Sequence, residues 1–457
     1  MRIMEISNLL KKFVEIYKEV ADVNLDRSLK PDLPSFVDKD KASTAHFFLL
    51  AASIDETRII GRAENVRILL NHLYYKCLQE NLFRIVDAYQ FENELTKIKA
   101  SEFYNHLGSE KKSIAGILAA VNQFVHDEVP NRDLTRYSEN FATPRELAEE
   151  LTTKMEARGI HFREKSWIYL RWMIRSFPDL NLFKSLRSKD LLMPLTTPTL
   201  RVAVALNLID DKRVAERLKL GEEIDNSWWG DVRAVEDARR EVTYYSKQQL
   251  GFADDPVKAD YPFFVLGRWL SGLTLNEQEL ERSLRLFIKI YEQTNMAPIK
   301  YPVMRFYDKE HFLRYKRSRN IEIPYKGDLE PKVAQKLAEK GIFFEYEPLE
   351  FRLPLLQSQR PTQNRVRHIT HTPDFILPRI KIHGKRVDLE PHWFWKKEDA
   401  YRFLKFREIY GGYFTLVLIA DELPKYVREG AQYDYHWFAN PKYAGYFGDK
   451  LNKLKSE

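Results

Sequence analysis

Thr372-Pro373-Asp374-Phe375 is followed sixteen residues later by Asp388-Leu389-Glu390-Pro391-His392. Two runs of β-forming residues, 371–380 and 385–393, flank His383-Gly384, a pair suited to a tight turn, and so predict a hairpin. With a strand period of two, Asp388, Glu390 and His392 share one face and Val387 and Leu389 the other. A carboxylate from each of two adjacent strands then enters one cleft. Oxygen ligands so disposed hold a hard divalent cation, Mg²⁺ or Mn²⁺, the equipment of metal-assisted hydrolysis. His368, His371, His383 and His392 are close in sequence, but no spacing among them matches a zinc site with cysteine partners, which favours a carboxylate-based centre.

The flanking sequence supplies the elements to position these groups. Asp328-Leu329-Glu330-Pro331 opens a segment with Leu329, Val333 and Leu337 at helical spacing, an N-cap at Asp328 and a stop at Gly341. A β-type run, 342–353, follows. Beyond the hairpin, Ala400, Phe403, Leu404 and Arg407 mark a helix ending at Gly411-Gly412, and 413–420 is an almost uninterrupted apolar strand. The order is helix, strand, strand, strand, helix, strand. On these residues the segment from about 320 to 425 resembles the PD-(D/E)xK nuclease superfamily, whose members build that order around a mixed sheet. The resemblance implies that Asp374 is the PD aspartate, that Glu390 opens the (D/E)xK triplet, and that Glu330 is the glutamate supplied by the first helix. All three would be metal ligands. The third triplet position, where the family has lysine, is His392. A lysine there orients water and offsets charge on the phosphate; a histidine does both only when suitably protonated. Lys396 or Lys397, at the start of the next helix, is the alternative ammonium.

A chain of 457 residues is long enough for two to four domains. No apolar run approaches a membrane span and residues 1–20 carry charges throughout, so neither anchor nor secretory signal is expected. The single cysteine, Cys77, excludes an internal disulfide and points to a reducing, cytoplasmic compartment, with nucleoid association in a prokaryote. The formal charge of +7 is uneven: residues 301–457 hold 29 Lys and Arg against 21 Asp and Glu, and residues 1–300 hold 44 against 45. Arg314, Lys316, Arg317 and Arg319, and then Arg365 and Arg367 in the loop 360–367, make the densest basic stretches. Phosphate backbones attract such surfaces whatever their sequence.

Residues 1–295 read as successive helices at 43–60, 63–80, 113–128, 144–157, 165–175, 198–208, 232–249 and 276–293, with Pro, Gly, Asn or Asp between them. Residues 298–302 form the expected linker, dividing a helical region 1–297 from a second domain 298–457. Trp167 to Arg175, Leu180 to Leu186, Met193 to Val202 and Asp255 to Tyr261 resemble a poorly characterised family within the helix-hairpin-helix DNA glycosylase superfamily, implying an all-helical glycosylase-like fold over about 40–270. Where that family places an aspartate followed by Thr and His, this chain has Thr196-Thr197-Pro198, and threonine cannot supply a carboxylate for base excision. Lys165 lies near the family's basic residue, as an ordinary surface lysine or phosphate contact more than a Schiff-base nucleophile. Trp228-Trp229 and Trp393-Phe394-Trp395 suit packing more than base stacking.

The expected architecture is multidomain, α plus α/β: an all-helical glycosylase-like region followed by a restriction-endonuclease-like mixed-sheet domain. The resemblances imply a metal-dependent endonuclease acting on lesion-bearing or branched DNA, in repair, with no membrane partner. Two alternatives are a glycosylase or abasic-site lyase centred on Lys165 and a non-catalytic nucleic-acid-binding protein.

Overall fold

The computed structural model describes residues 2–17, 40–55, 63–97, 111–176, 179–220, 224–270, 273–294, 329–346, 351–354, 368–392, 395, 397–428 and 433–454. By contacts the chain divides into two compact units, Met1–Ala203 with Asn226–Phe264, and Val204–Asp225 with Val265–Glu457. Among the described residues no helix is long and apolar enough to cross a membrane.

The first unit is helical. Its helices are α1 (Arg2–Ile16), α2 (Lys41–Ile54), α3 (Ala63–His72), α4 (Ala88–Lys97), α5 (Lys111–Glu128), α6 (Leu134–Tyr137), α7 (Pro144–Glu156), α8 (Arg163–Ile174), the start of α9 (Thr197–Ala205), and, after α10 (Lys212–Leu220) of the second unit, α11 (Asn226–Gly230) and α12 (Val232–Gln248). Helix α2 is buried on every side from Thr44 to Ile54 and packs against α5 and α8, as an all-round apolar segment must. Its first turn is closed by Asp40, whose carboxylate accepts from the Ser43 amide at 3.1 Å. The expected helix 63–80 ends instead at His72 and widens into a π-type turn, Leu73–Leu78.

The polar residues of α8 tie together the segments that carried the glycosylase resemblance. Arg171 bonds Asp260, and Arg175 bonds Asp255 at 2.9 Å and Asp179 at 2.8 Å. Glu164 accepts from the Leu195 amide at 3.1 Å and from Arg239, which is wholly buried. Such groups, once dehydrated, must find partners, and here they fix the loop leading into α9. Thr196 caps that helix: its hydroxyl accepts from the Thr199 amide at 3.3 Å. The residue standing where an acid was expected therefore has a helix-capping bond.

The second unit holds a mixed sheet. The strands are β1 (Glu345–Tyr346), β4 (Phe375–Ile382), β5 (Lys385–Pro391), β6 (Phe414–Ile419) and β7 (Tyr435–Trp437), in the order β1-β4-β5-β6-β7; β2 (Phe351–Pro354) and β3 (His368–His371) form a separate antiparallel ribbon. β4 is antiparallel to β1 and β5, whereas β5–β6 and β6–β7 are parallel. The hairpin expected at His383-Gly384 is present, both residues having positive φ (50° and 74°), the backbone that a two-residue loop between twisted strands requires. Register shifts between Leu377 and Lys381, where Pro378 has no N–H to give the ladder.

Helices α13 (Asp260–Trp269), α14 (Glu277–Thr294), α15 (Glu330–Glu339), α16 (Lys397–Tyr410), α17 (Lys425–Arg428) and α18 (Phe447–Leu454) complete the described set. Leu329 occupies the N-cap position of α15, in place of the expected Asp328, which lies outside the described residues; Pro331 is in the first turn, where a missing N–H costs nothing. Gly341 (φ 61°) closes the helix, with its N–H on Ala338 and that of Ile342 on Leu337. One sheet face, carrying Phe375, Leu377, Val387, Leu389, Val417 and Ile419, forms a core with α15 and α18. The other face meets α16 and the ribbon through Phe351, Phe406, Tyr410 and Phe414. α14 is part of this same unit: Glu279 pairs with Arg386 at 2.8 Å and Arg282 donates to the Gly384 carbonyl at 2.9 Å. The expected linker 298–302 lies outside the described residues.

Candidate metal centre

Two continuous runs in the sequence are each divided in the structure. Residues 342–353 become β1 and β2, in different sheets, and 371–380 become β3 and β4, separated by Thr372-Pro373-Asp374. Asp374 therefore projects from a bend at the entrance to β4, not from the strand itself. Its position is fixed by its own amide, which donates to Glu390 Oε1 at 3.0 Å.

On β5 the alternation holds. Val387 and Leu389 enter the core shared with α15, while Asp388 and Glu390 point to the α16 side and are 0% and 1% exposed. Asp388 lies in register between Ile376 and Leu416, and Glu390 beside Leu418, so apolar neighbours on the sheet dehydrate both acids. His392 continues the ladder one residue beyond the strand, with its amide on the Ile419 carbonyl at 2.9 Å. Its Nε2 is 3.2 Å from Glu390 Oε2, and its ring stacks on Trp395 with centroids 4.8 Å apart. Single ligand atoms of Asp374, Glu390 and His392 all lie within 4.8 Å of one another, so these three can hold one metal ion.

A second triad, with the same 4.8 Å limit, consists of His371, Asp388 and Glu390. His371 Nε2 is 3.0 Å from Asp388 Oδ2 and 3.8 Å from Glu390 Oε1. The ring lies against Phe406 and Phe403, at centroid separations of 4.3 and 5.7 Å. Sequence reasoning placed Asp388 on the Glu390 face without assigning it to the site, and it passed over His371. The period-two pattern was a signal for Asp388; none existed for His371, which arrives from a different sheet.

Burial governs the charge states. It pushes the His371 imidazole down to about 3, so the ring is neutral at ordinary pH. Burial, reinforced by the negative charges of Glu390 and Asp374, raises Asp388 well above the usual carboxylate range. Burial opposes ionisation of Glu390 too, but the hydrogen bond from His392 and the Arg402 guanidinium work against it, and Glu390 stays below its ordinary value. Dehydrated acids side by side cannot both ionise cheaply, and the proton resides on Asp388.

Glu330 stands outside both triads. It is buried in the first turn of α15 and accepts from the Tyr346 hydroxyl at 2.7 Å. Lys165 donates to the Ser53 carbonyl at 2.9 Å, bridging α8 to α2. Lys397 begins α16, though its side chain, like Lys396, Arg314, Lys316, Arg317, Arg319, Arg365 and Arg367 entirely, lies outside the described residues. Trp228 is fully buried, a core residue rather than a stacking platform.

Comparison with known proteins gives two matches, one of them within the helical part. The family model described as "Protein of unknown function (DUF2400)" matches residues 57–228. Endonuclease I of Escherichia phage T7 is 34% identical over 84 residues, 18% of this chain and 46% of that protein. The chain thus spans less than half the length of that relative. No solved structure matches.

Proposed function

We propose that the protein is a metal-dependent DNA endonuclease of PD-(D/E)xK type, in which the unit that holds the mixed sheet cuts and the helical, glycosylase-like unit selects damaged or distorted DNA for repair. The observation that carries this reading is the meeting of Asp374, Glu390 and His392 at one end of a β-hairpin in a mixed sheet. Likeness to a phage endonuclease supports it.

The donor set fits a divalent cation. Two carboxylates and one imidazole converge, and Glu390 is held ionised within a buried surround. A cation bound there would lower the pKa of a water molecule and offset charge developing on the phosphate. Asp374 and Glu390 supply the negative oxygens, with Glu390 oriented by the Asp374 amide and His392. His392 is the group available for orienting water or receiving a proton, its ring fixed by Trp395. Glu330, buried in the first turn of α15 and engaged by the Tyr346 hydroxyl on the other side of the sheet, is not one of these ligands. The excess of Lys and Arg over residues 301–457 provides the sequence-independent attraction for phosphate.

The test is cleavage of intact, abasic, deaminated and branched duplexes in Mg²⁺ or Mn²⁺ by the parent chain, Asp374→Ala and Glu390→Ala. The parent should cut and both variants should bind without cutting, since each loses a ligand and sheds negative charge facing the phosphate. Undiminished cleavage by the double variant, or full activity in excess EDTA, rejects the assignment. Binding without cleavage by the parent itself would favour a nucleic-acid-binding protein without catalysis.

A further inference from the structure

The metal centre stands at the carboxyl end of β5, and β6 and β7 run parallel to β5, so the ends of all three strands share one edge of the sheet. Open sheets bind ligands outside the carboxyl ends of their strands. Glu390 is in register with Leu418, and Leu418 with His436, so one face of the sheet carries all three. Phe438, two residues past His436, continues that face at the end of β7. Beyond the strands the chain is tied down. The Asn440 amide donates to Asp421 at 2.7 Å, joining the segments that follow β6 and β7. The amides of Phe438 and Phe447 close the loop 438–447 on the Gly445 and Phe438 carbonyls, at 3.1 and 2.9 Å.

This edge exposes aromatic rings. Tyr426 in α17 and Tyr443 in the loop are 38% and 48% exposed, and among the described residues of the second unit no other large hydrophobic side chain is as open. α17 follows the end of β6 and lies against α16, the helix over the face that carries Glu390. Tyr443 is braced from behind: its ring packs on Phe438 with centroids 5.0 Å apart, and Phe438 packs on His436 at 4.8 Å. His436 is held in turn by its Nε2, which donates to the Ala420 carbonyl at 2.8 Å. Each exposed ring has a cation next to it in sequence. Within 421–428 and 438–447, Lys425, Arg428 and Lys442 are exposed, and Glu422 is the one exposed acid. The side chains of Arg428 and Lys442 have no ion-pair partner among the described residues.

We propose that this edge is a track for an unpaired DNA strand leaving the metal centre, with bases stacked on Tyr426 and Tyr443 and phosphates on Lys425, Arg428 and Lys442. Rings interleaved with cations suit a single strand, since every base has a π-face and every linkage a negative charge. A duplex hides its base faces within the stack and cannot use the rings. Two strand spacings of about 4.8 Å put the end of β7 about 10 Å from that of β5, or about three nucleotides at 3.4 Å each. The proposal rests on the endonuclease reading and narrows its substrate to DNA with an unpaired arm, a fork or a flap, cut within about three nucleotides of that arm.

The test uses the full chain in EDTA, so that binding is read without cleavage. The probes are a blunt duplex and forked duplexes with a 5′ or a 3′ arm, each arm carrying 2-aminopurine close to the junction. Anisotropy gives the affinity, and quenching of 2-aminopurine reports stacking. The parent should bind a fork on the order of tenfold or more tighter than the blunt duplex and quench the probe. Tyr426→Ala and Tyr443→Ala should each weaken fork binding on the order of tenfold, the worth of one stacked base, and leave the blunt duplex unaffected. Tyr443→Phe, which keeps the ring, should match the parent, and Lys442→Gln should lower the salt slope of fork binding by about 0.7. Equal affinity for fork and blunt duplex, an unquenched probe, or the same loss on both probes overturns the track. Should Tyr443→Ala fail to fold, Tyr426→Ala and the quenching by the parent decide. Cleavage in Mn²⁺, assayed separately, keeps the two readings apart. A parent that cuts while the tyrosine variants bind forks as it does retains hydrolysis and loses the track; one that stacks forks on the tyrosines without cutting retains the track and loses hydrolysis.

Discussion

Arg386 lies two residues before Asp388 on β5, and its support comes from outside the segment that the motif defines. Its guanidinium is 4.0 Å above the Trp269 ring and 2.8 Å from Glu279, both side chains of the pair being about one-tenth exposed (9% and 11%). Burial pushes Arg386 down to about 10 against the opposing pull of Glu279, so it remains charged at neutral pH and requires its partner. Removing one member of a buried ion pair costs about 3 to 5 kcal/mol, and loss of a dehydrated cation–π contact about 2 kcal/mol more. A fragment starting at residue 298 lacks both Trp269 and Glu279, whereas one starting at 265 keeps them. The expected deficit, about 5 kcal/mol or more, is comparable to the entire stability of many domains. Urea unfolding of fragments 265–457 and 298–457, followed by tryptophan fluorescence and circular dichroism, should show a cooperative transition only in the longer one. In the longer fragment, Glu279→Ala should lower the midpoint by about 1.5 M for a slope of about 2 kcal/mol per molar. Equal midpoints for the two fragments, or a negligible shift on Glu279→Ala, would refute the reasoning.

Affinity of the fragment 265–457 for undamaged duplex should fall by about two to three decades between 50 and 200 mM salt if four to six phosphates are neutralised; a flat salt response rules out the basic surface as the main contact. Burial holds His46 neutral, down to about 4 from its ordinary 6.5. The unfolded chain then takes up that proton first, so the contribution of His46 is complete above about pH 6.5 and is lost as pH falls towards 4, about 3 kcal/mol in all. Denaturant titrations across that range should show a shallower slope for His46→Leu than for the parent, and parallel slopes would contradict the assignment. His392→Lys should retain cleavage, whereas His392→Ala should lose on the order of 10² or more; superimposable pH–rate profiles for parent and His392→Ala would exclude a proton-linked role.

Much of the secondary structure was legible because its signals are local. The spacing that predicted helices at 113–128, 144–157 and 232–249 matches α5, α7 and α12 within two residues. The His383-Gly384 turn and the face alternation of β5 were readable for the same reason, since two residues set the turn and a period of two sets the face. What failed was strand partnership. Residues 342–353 and 371–380 read as single β-type runs despite Pro348, Pro373 and Pro378, and propensity does not specify a neighbour. Both runs divide between the ribbon and the main sheet. Pro373, lacking an N–H, stands in the second break, and the break re-aims Asp374 towards Glu390. His371, just before that break, became part of the site only because the ribbon folds over the α16 side of the sheet.

The histidine at the third motif position has a consequence that follows from its surroundings. A lysine reaches a phosphate on a flexible stem and stays charged without help. His392 is held by its stack on Trp395 and its contact with Glu390, so it acts where the fold puts it. As a metal ligand it must be neutral; as a cation offsetting phosphate charge it must be protonated. One ring cannot serve in both states at once. If His392 is a ligand, the compensating charge has to come from elsewhere, and Lys396 and Lys397 follow it within five residues. The His392→Lys variant separates these cases, because lysine replaces the charge but is a poor substitute for an imidazole ligand. Retained cleavage with weakened Mn²⁺ binding would assign His392 to the metal and the charge to its replacement. Retained cleavage with unchanged Mn²⁺ binding would assign it to the phosphate.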